Sequence, residues 1–287
     1  MERKKENSCI FEVSIPKQMR MIDMHAHLSC LEKYPMADFS GREWELAAAE
    51  GAEELNFRRQ AGIVTCFSAG TPWEWEAMQQ FGEREEILIS FGIHPWYADR
   101  YRMEDCREYF DHCDFIGEIG MDSVWCEVPL SVQKRLLEKE LQLAAELGKP
   151  VLLHTKGEEA RIGEMIRDFP GKVCVHWYSG SETDLEKYLE KGCYFTLGPD
   201  TARLFRQKDQ VRCRMLEDIP ANRLFVETDG MDAAAWAEGA DCLDLQELPQ
   251  ILERNMECAA VQKKVSPERQ RWQMYANLRE FLSVPHR

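Results

Sequence analysis

Short apolar runs recur along the chain near residues 20–24, 62–68, 87–93, 114–120, 150–155, 172–177, 193–198 and 223–229, separated mostly by stretches with helical spacing. Alternation of that kind, eight times over, predicts an α/β fold: a single TIM-type (β/α)8 barrel, a plan that uses about 250 residues in one domain. The helical pattern is plainest after Pro129. There Ser131 is the expected cap, Leu136, Leu137, Leu141, Ala144 and Ala145 form an apolar stripe, and Gly148 with Pro150 stops the helix before P-V-L-L-H. A second helix is expected to open at Ser181, with Asp184 three residues on, and to end at Gly192.

Polar residues of one chemical kind stand where these runs end. In M-I-D-M-H-A-H (21–27), the two-residue period of a strand puts Asp23, His25 and His27 on one face. Glu118 belongs to D-F-I-G-E-I-G, His154 ends P-V-L-L-H, His176 ends K-V-C-V-H and Asp229 ends R-L-F-V-E-T-D. A lone H-x-H is weak, since two histidines can share a strand face without binding anything. Five strand ends agreeing is hard to explain as packing, and the C-terminal ends of barrel strands are where functional groups gather. Imidazoles and carboxylates suit zinc, manganese or magnesium, and the lack of cysteine in the set argues for a catalytic rather than a structural site.

Composition narrows the picture. The 287 residues are 44% apolar and 30% charged, enough for one large core, with no linker-like break or internal repeat, so residues 1–287 are read as one domain with 1–19 as an N-terminal extension. The N-terminus lacks the apolar core of a secretion signal and no run is long enough to span a membrane, so a cytoplasmic protein without membrane partners is expected. Eleven cysteines form no C-x-x-C pair, and Cys66, Cys174 and Cys193 fall inside apolar runs, which points to buried thiols rather than disulfides. A net charge of −15 works against a broad nucleic-acid footprint, although metal ions in a cleft can supply local positive potential. The best basic cluster, Arg203, Arg206, Lys208, Arg212 and Arg214, reads as a solvated helix face.

The pieces I-D-M-H-A-H-L, F-G-I-H-P, I-G-E-I-G-M-D, Q-K-R-L-L-E-K-E-L-Q-L-A-A-E-L-G-K-P-V-L-L-H, V-H-W-Y-S-G, Y-F-T-L-G and R-L-F-V-E-T-D resemble, in order, the TatD family of metal-dependent hydrolases. Y-A-N-L-R-E-F at 275–281 resembles that family's closing helix, so nearly the whole chain is covered. The resemblance implies two divalent ions, one held by His25, His27 and Asp229 and the other by His154 and His176, with Glu118 bridging. It implies hydrolysis by a water of lowered pKa, with Asp229 both ligand and base, and a substrate-facing place for His94 in G-I-H-P. Glu227, two residues before Asp229, reads as ordinary barrel interior, and Asp23 as the hydrogen-bond partner of a ligand histidine. His112 and His286 read as surface residues.

Departures from the family fall on specificity. Where Ser-Arg usually follows the fifth-strand histidine, Thr155-Lys156-Gly157 stands here: Lys156 keeps a substrate-facing cation but loses the guanidinium fork. Gly230-Met231-Asp232 replaces a small residue and proline, adding an acid that disfavours an anionic substrate if it points inward. Trp96-Tyr97 and Trp177-Tyr178 either stack on a base or fill the barrel rim. The expected function is therefore a metal-dependent deoxyribonuclease acting on DNA phosphodiesters. A hydrolase of a small-molecule ester, lactone or amide and a non-catalytic metal-binding accessory protein remain open beside it.

Overall fold

The computed structural model describes residues 20–81 and 86–283; the 1–19 extension and His286 lie outside the described residues. Eight parallel strands follow one another in chain order: β1 (Met21–Ala26), β2 (Ile63–Ala69), β3 (Ile87–Phe91), β4 (Phe115–Gly120), β5 (Val151–His154), β6 (Val173–Val175), β7 (Tyr194–Leu197) and β8 (Leu224–Val226). This is the expected barrel. Parallel strands covered on both faces need apolar residues on both, and every residue of β1, β4, β5, β6, β7 and β8 is buried.

Ladder pairing runs without a break from β1 to β8. Between β8 and β1 no ladder is paired among the described residues, and the seam closes by other means. Asp23 Oδ1 accepts from the Thr228 N–H at 2.8 Å, Asp23 Oδ2 accepts from the Thr228 hydroxyl at 2.6 Å, and the Asp229 N–H donates to the His25 carbonyl at 3.0 Å. Arg58, fully buried on the helix Arg42–Gln60, donates to Asp23 at 2.7 Å and to Glu54 at 2.9 Å, which balances the buried charge.

The helix after Pro129 spans Leu130–Leu147 and buries Leu136, Leu137, Leu141 and Ala144 as its stripe predicts. It begins one residue before Ser131, whose side chain caps nothing. The first turn is held by the Val132 and Gln133 N–H groups donating to the Pro129 carbonyl, and Gly148 ends the helix at φ +67°. The second helix spans Glu182–Lys191 with Ser181 as its cap, accepting from the Asp184 N–H, and Gly192 after it, as expected. Cys66, Cys174 and Cys193 are buried free thiols. No described helix is long and apolar enough to cross a membrane.

Candidate metal centre

Every strand-end residue singled out by the hydrophobic pattern arrives at one end of the barrel, though not all are on strands. β1 ends at Ala26, one residue before His27; β6 ends at Val175, before His176; and β8 ends at Val226, three residues before Asp229. The apolar runs continue past the last paired residue because the chain leaves the ladder to turn side chains inward. Trp177 and Asp229 both take left-handed conformations, at φ +34° and +58°. Gly230, at φ +95°, follows with the space a Cβ needs only 3.0 Å from the His27 carbonyl, so a side chain there is both strained and crowded. Gly120 permits a closer approach still: a Cβ would fall 1.8 Å from the His154 carbonyl.

Glu118 lies at the centre, and its two oxygens face different partners. Oε2 stands 3.3 Å from His25 Nε2 and 3.4 Å from His27 Nε2; Oε1 stands 2.6 Å from His154 Nδ1 and 2.8 Å from His176 Nε2. Asp229 Oδ1 completes the first group, 3.0 Å from His25 Nε2 and 3.7 Å from His27 Nε2. Donors bound to one divalent ion at about 2.1 Å stand roughly 3.0–3.4 Å from each other, a range that the contacts of His25 Nε2 with Glu118 and Asp229 fit as co-ligands, while the His154 and His176 contacts with Glu118 are hydrogen-bond-short. His25 Nε2 supports that reading: it is buried and forms no hydrogen bond despite the two carboxylates beside it. Among the described residues, three overlapping groups have donors close enough to share an ion: His25, His27 and Asp229; His25, Glu118 and His176; and His94, Glu118 and His154.

Two of the ring nitrogens that face away from the cluster, on His25 and His154, are held in turn. Ser68 Oγ lies 2.9 Å from His25 Nδ1 and is itself bonded to Ser90 Oγ at 2.8 Å, a cross-strand pair in register. Asp122 Oδ2 lies 3.2 Å from His154 Nε2. Glu227 Oε1 lies 3.4 Å from His176 Nδ1, which forms no hydrogen bond, and accepts from the Trp177 N–H at 2.8 Å, so Glu227 stands beside the histidine and fixes the backbone that follows it. Asp23 does the reverse of what its position predicts: it touches no cluster histidine and binds Arg58 and Thr228. Asp122, Ser68 and Ser90 were not singled out in the sequence. The two-residue period from Glu118 through Gly120 to Asp122 carries the signal for the first, and polar residues inside the apolar β2 and β3 carry it for the serines.

Electrostatics within the cluster follow from burial and mutual charge. Burial opposes ionisation of Glu118, but His176, His25, His94 and His154 hold its carboxyl well below the ordinary range. Burial also opposes charge on His27, yet Glu118 and Asp229 push the imidazole up to about 10. At His94 burial prevails and lowers the ring to about 4, leaving it neutral at pH 7. Its Nε2 faces Glu118 Oε2 at 3.8 Å while its Nδ1 accepts from the Trp96 N–H, which leaves the ring proton on the nitrogen that faces the cluster.

Lys156 is at the same mouth, donating to Ser179 Oγ at 3.1 Å. Asp232 is exposed on the first turn of the helix Met231–Glu238, and Tyr178 is buried with its hydroxyl donating to the Ser181 carbonyl at 2.6 Å. His112 is a surface residue. The basic cluster does not form one solvated face: it is split between the helices Thr201–Arg206 and Gln210–Asp218, and Arg212 is buried against Asp200 at 3.3 Å.

Known proteins resemble the chain in sequence and in fold. The chain is 26% identical over 219 residues to the uncharacterized metal-dependent hydrolase YcfH of Escherichia coli (strain K12), covering 74% of this chain and 77% of that one. It is 33% identical over 148 residues to the 3'-5' ssDNA/RNA exonuclease TatD of Edwardsiella piscicida, covering 48% and 55%. The crystal structure of YjjV, a TatD homologue from Escherichia coli K12, superposes with a TM-score of 0.72 at 20% identity, covering 93% of this chain and 99% of that one. The profile of the family described as TatD related DNase matches residues 22–283, and the chain belongs to that family.

Proposed function

We propose that the protein is a divalent-metal-dependent phosphodiesterase that cleaves DNA, with single-stranded ends as the form its site accepts. The observation that carries this reading is the division of Glu118 between two histidine pairs. In this reading His25, His27 and Asp229 hold one ion, His154 and His176 hold another, and Glu118 is shared. Two such ions supply a water that ionises near neutral pH and positive charge for the phosphoryl oxygens. Asp229 takes the proton of the attacking water and returns it to the leaving oxygen. His94 donates from Nε2 to a substrate oxygen, and Lys156 meets a flanking phosphate as a point charge. Relatives named as 3'-5' nucleases, including the 3'-5' RNA nuclease TATDN2 of Homo sapiens, 29% identical over 221 residues, support a nucleic-acid substrate.

The test is cleavage of an end-labelled single-stranded oligonucleotide by protein stripped with chelator and reloaded with manganese, magnesium or zinc, beside Asp229→Asn. Metal-dependent cleavage lost in the variant is the expected result. Protein shown to carry two ions yet inert on the oligonucleotide would overturn the nuclease reading. A small-molecule ester, lactone or amide would then be favoured, consistent with a net charge of −15 and the missing guanidinium at position 156.

A further inference from the structure

Beside the histidine cluster, one carboxylate holds two exposed tryptophans, Trp96 by its indole and Trp125 by its backbone. Trp96 is 41% and Trp125 57% exposed. Trp96 Nε1 donates to Asp122 Oδ2 at 2.8 Å, the oxygen that also faces His154, and the Trp125 N–H donates to Asp122 Oδ1 at 2.8 Å. Lys156 stands 4.4 Å from the Trp125 ring centroid. The loops carrying these residues are stitched together, because the Ser123 N–H donates to the Lys156 carbonyl at 3.0 Å. Gly157, at φ +74°, leaves room that a Cβ would fill 2.4 Å from Ser123 Oγ. Hydrolysis itself uses neither tryptophan. An exposed indole held in place gives binding surface at low entropic cost, since little freedom remains to be lost.

The general field of the protein repels a polyanion, so attraction must be local. A cation over one tryptophan, reached two residues after His154, places positive charge and an aromatic face together at the edge of the cluster. We propose that Trp96 and Trp125 form a stacking subsite for an unpaired base of a single-stranded nucleic acid, with Lys156 on the adjoining phosphate. The proposal rests on the nuclease reading above and deepens it. Stacking accepts any base because every base has a π-face, but it requires that the base be unpaired. The subsite therefore selects single strands over duplex and is tolerant of sequence.

The experiment is steady-state cleavage of a labelled oligothymidylate by metal-loaded, full-length protein, with an abasic oligomer of equal length as competitor. Trp125→Ala is expected to raise KM about tenfold with kcat nearly unchanged, and Trp125→Phe to restore most of the loss. The abasic oligomer should compete about tenfold more weakly than intact oligomer against the wild type, and the gap should narrow against Trp125→Ala, where only Trp96 remains to stack. Lys156→Ala should weaken both competitors alike. Unchanged KM in Trp125→Ala, with abasic and intact oligomers equal against the wild type, would overturn the stacking subsite and leave the nuclease reading standing. Absence of cleavage by wild type carrying two ions would overturn both.

Discussion

The Asp229 N–H donates to the His25 carbonyl at 3.0 Å, so two residues of the same candidate ion site are joined through their backbones across the one unpaired seam of the barrel. Asp23, one layer below, fastens the same seam by accepting from both the N–H and the hydroxyl of Thr228. Asp23→Ala should therefore do more than remove hydrogen bonds: it strands the buried Arg58 guanidinium with Glu54 alone. A loss of about 3–5 kcal/mol in unfolding free energy is expected from breaking a buried pair on one side. Denaturant titration reads it directly, and a change under about 1 kcal/mol would mean that the seam does not depend on this network.

Glu118→Gln keeps the size of the side chain and removes its charge. Because each oxygen faces a different histidine pair, both ions should be lost or weakened together. Elemental analysis of the purified variant checks this, and metal content equal to wild type would show that Glu118 is not shared.

Asp122→Asn acts at one remove. The residue holds His154 Nε2 while Nδ1 faces Glu118, so the change should weaken the ion on the His154 side about 10–100-fold and leave the His25 side almost untouched. Competition with a chromogenic chelator separates the two affinities. Equal weakening of both would point to a general loss of structure in place of a specific brace.

Glu140 offers a test in pH. It is buried on the helix Leu130–Leu147 with Oε1 accepting from the Ile93 N–H at 2.8 Å, and burial pushes its carboxyl well above the ordinary 4.5. The folded protein thus binds this proton more tightly than the unfolded chain. The contribution is fully present below pH 4.5 and declines as pH rises toward the folded value. Gln does not titrate and retains an oxygen for Ile93. Thermal unfolding of Glu140→Gln should therefore gain on wild type as pH rises from 4.5 toward the raised folded value, whereas a difference that stays constant as pH rises above 4.5 would show that no buried neutral carboxyl exists.

How much of this was legible beforehand can be argued residue by residue. The barrel and the convergence of the six central side chains were readable because each stood in or just after an apolar run, and strand ends in a barrel converge whatever the loops do. Asp23 departs from expectation by fastening the seam and not a histidine, while Glu227 stands beside His176. Both alternate inward on their strands, and alternation gives the face but not the depth. Asp23 lies where a cation arrives from a helix, and Glu227 lies level with His176. The anchoring of Trp125 was beyond reach for a different reason, since it depends on a carboxylate three residues away folding back on its own loop. The cluster at 203–214 misled because spacing alone does not reveal that the chain breaks into two helices and buries Arg212.

The seam between β1 and β8 also imposes an order of events during synthesis. His25 leaves the ribosome early, but Asp229, its partner across the seam, follows only after the other seven strands have been made. Of the candidate ligands, Asp229 is thus the last to be made. A chain that stops short of residue 228 therefore leaves the β1 edge without the Thr228 and Asp229 groups that fasten it.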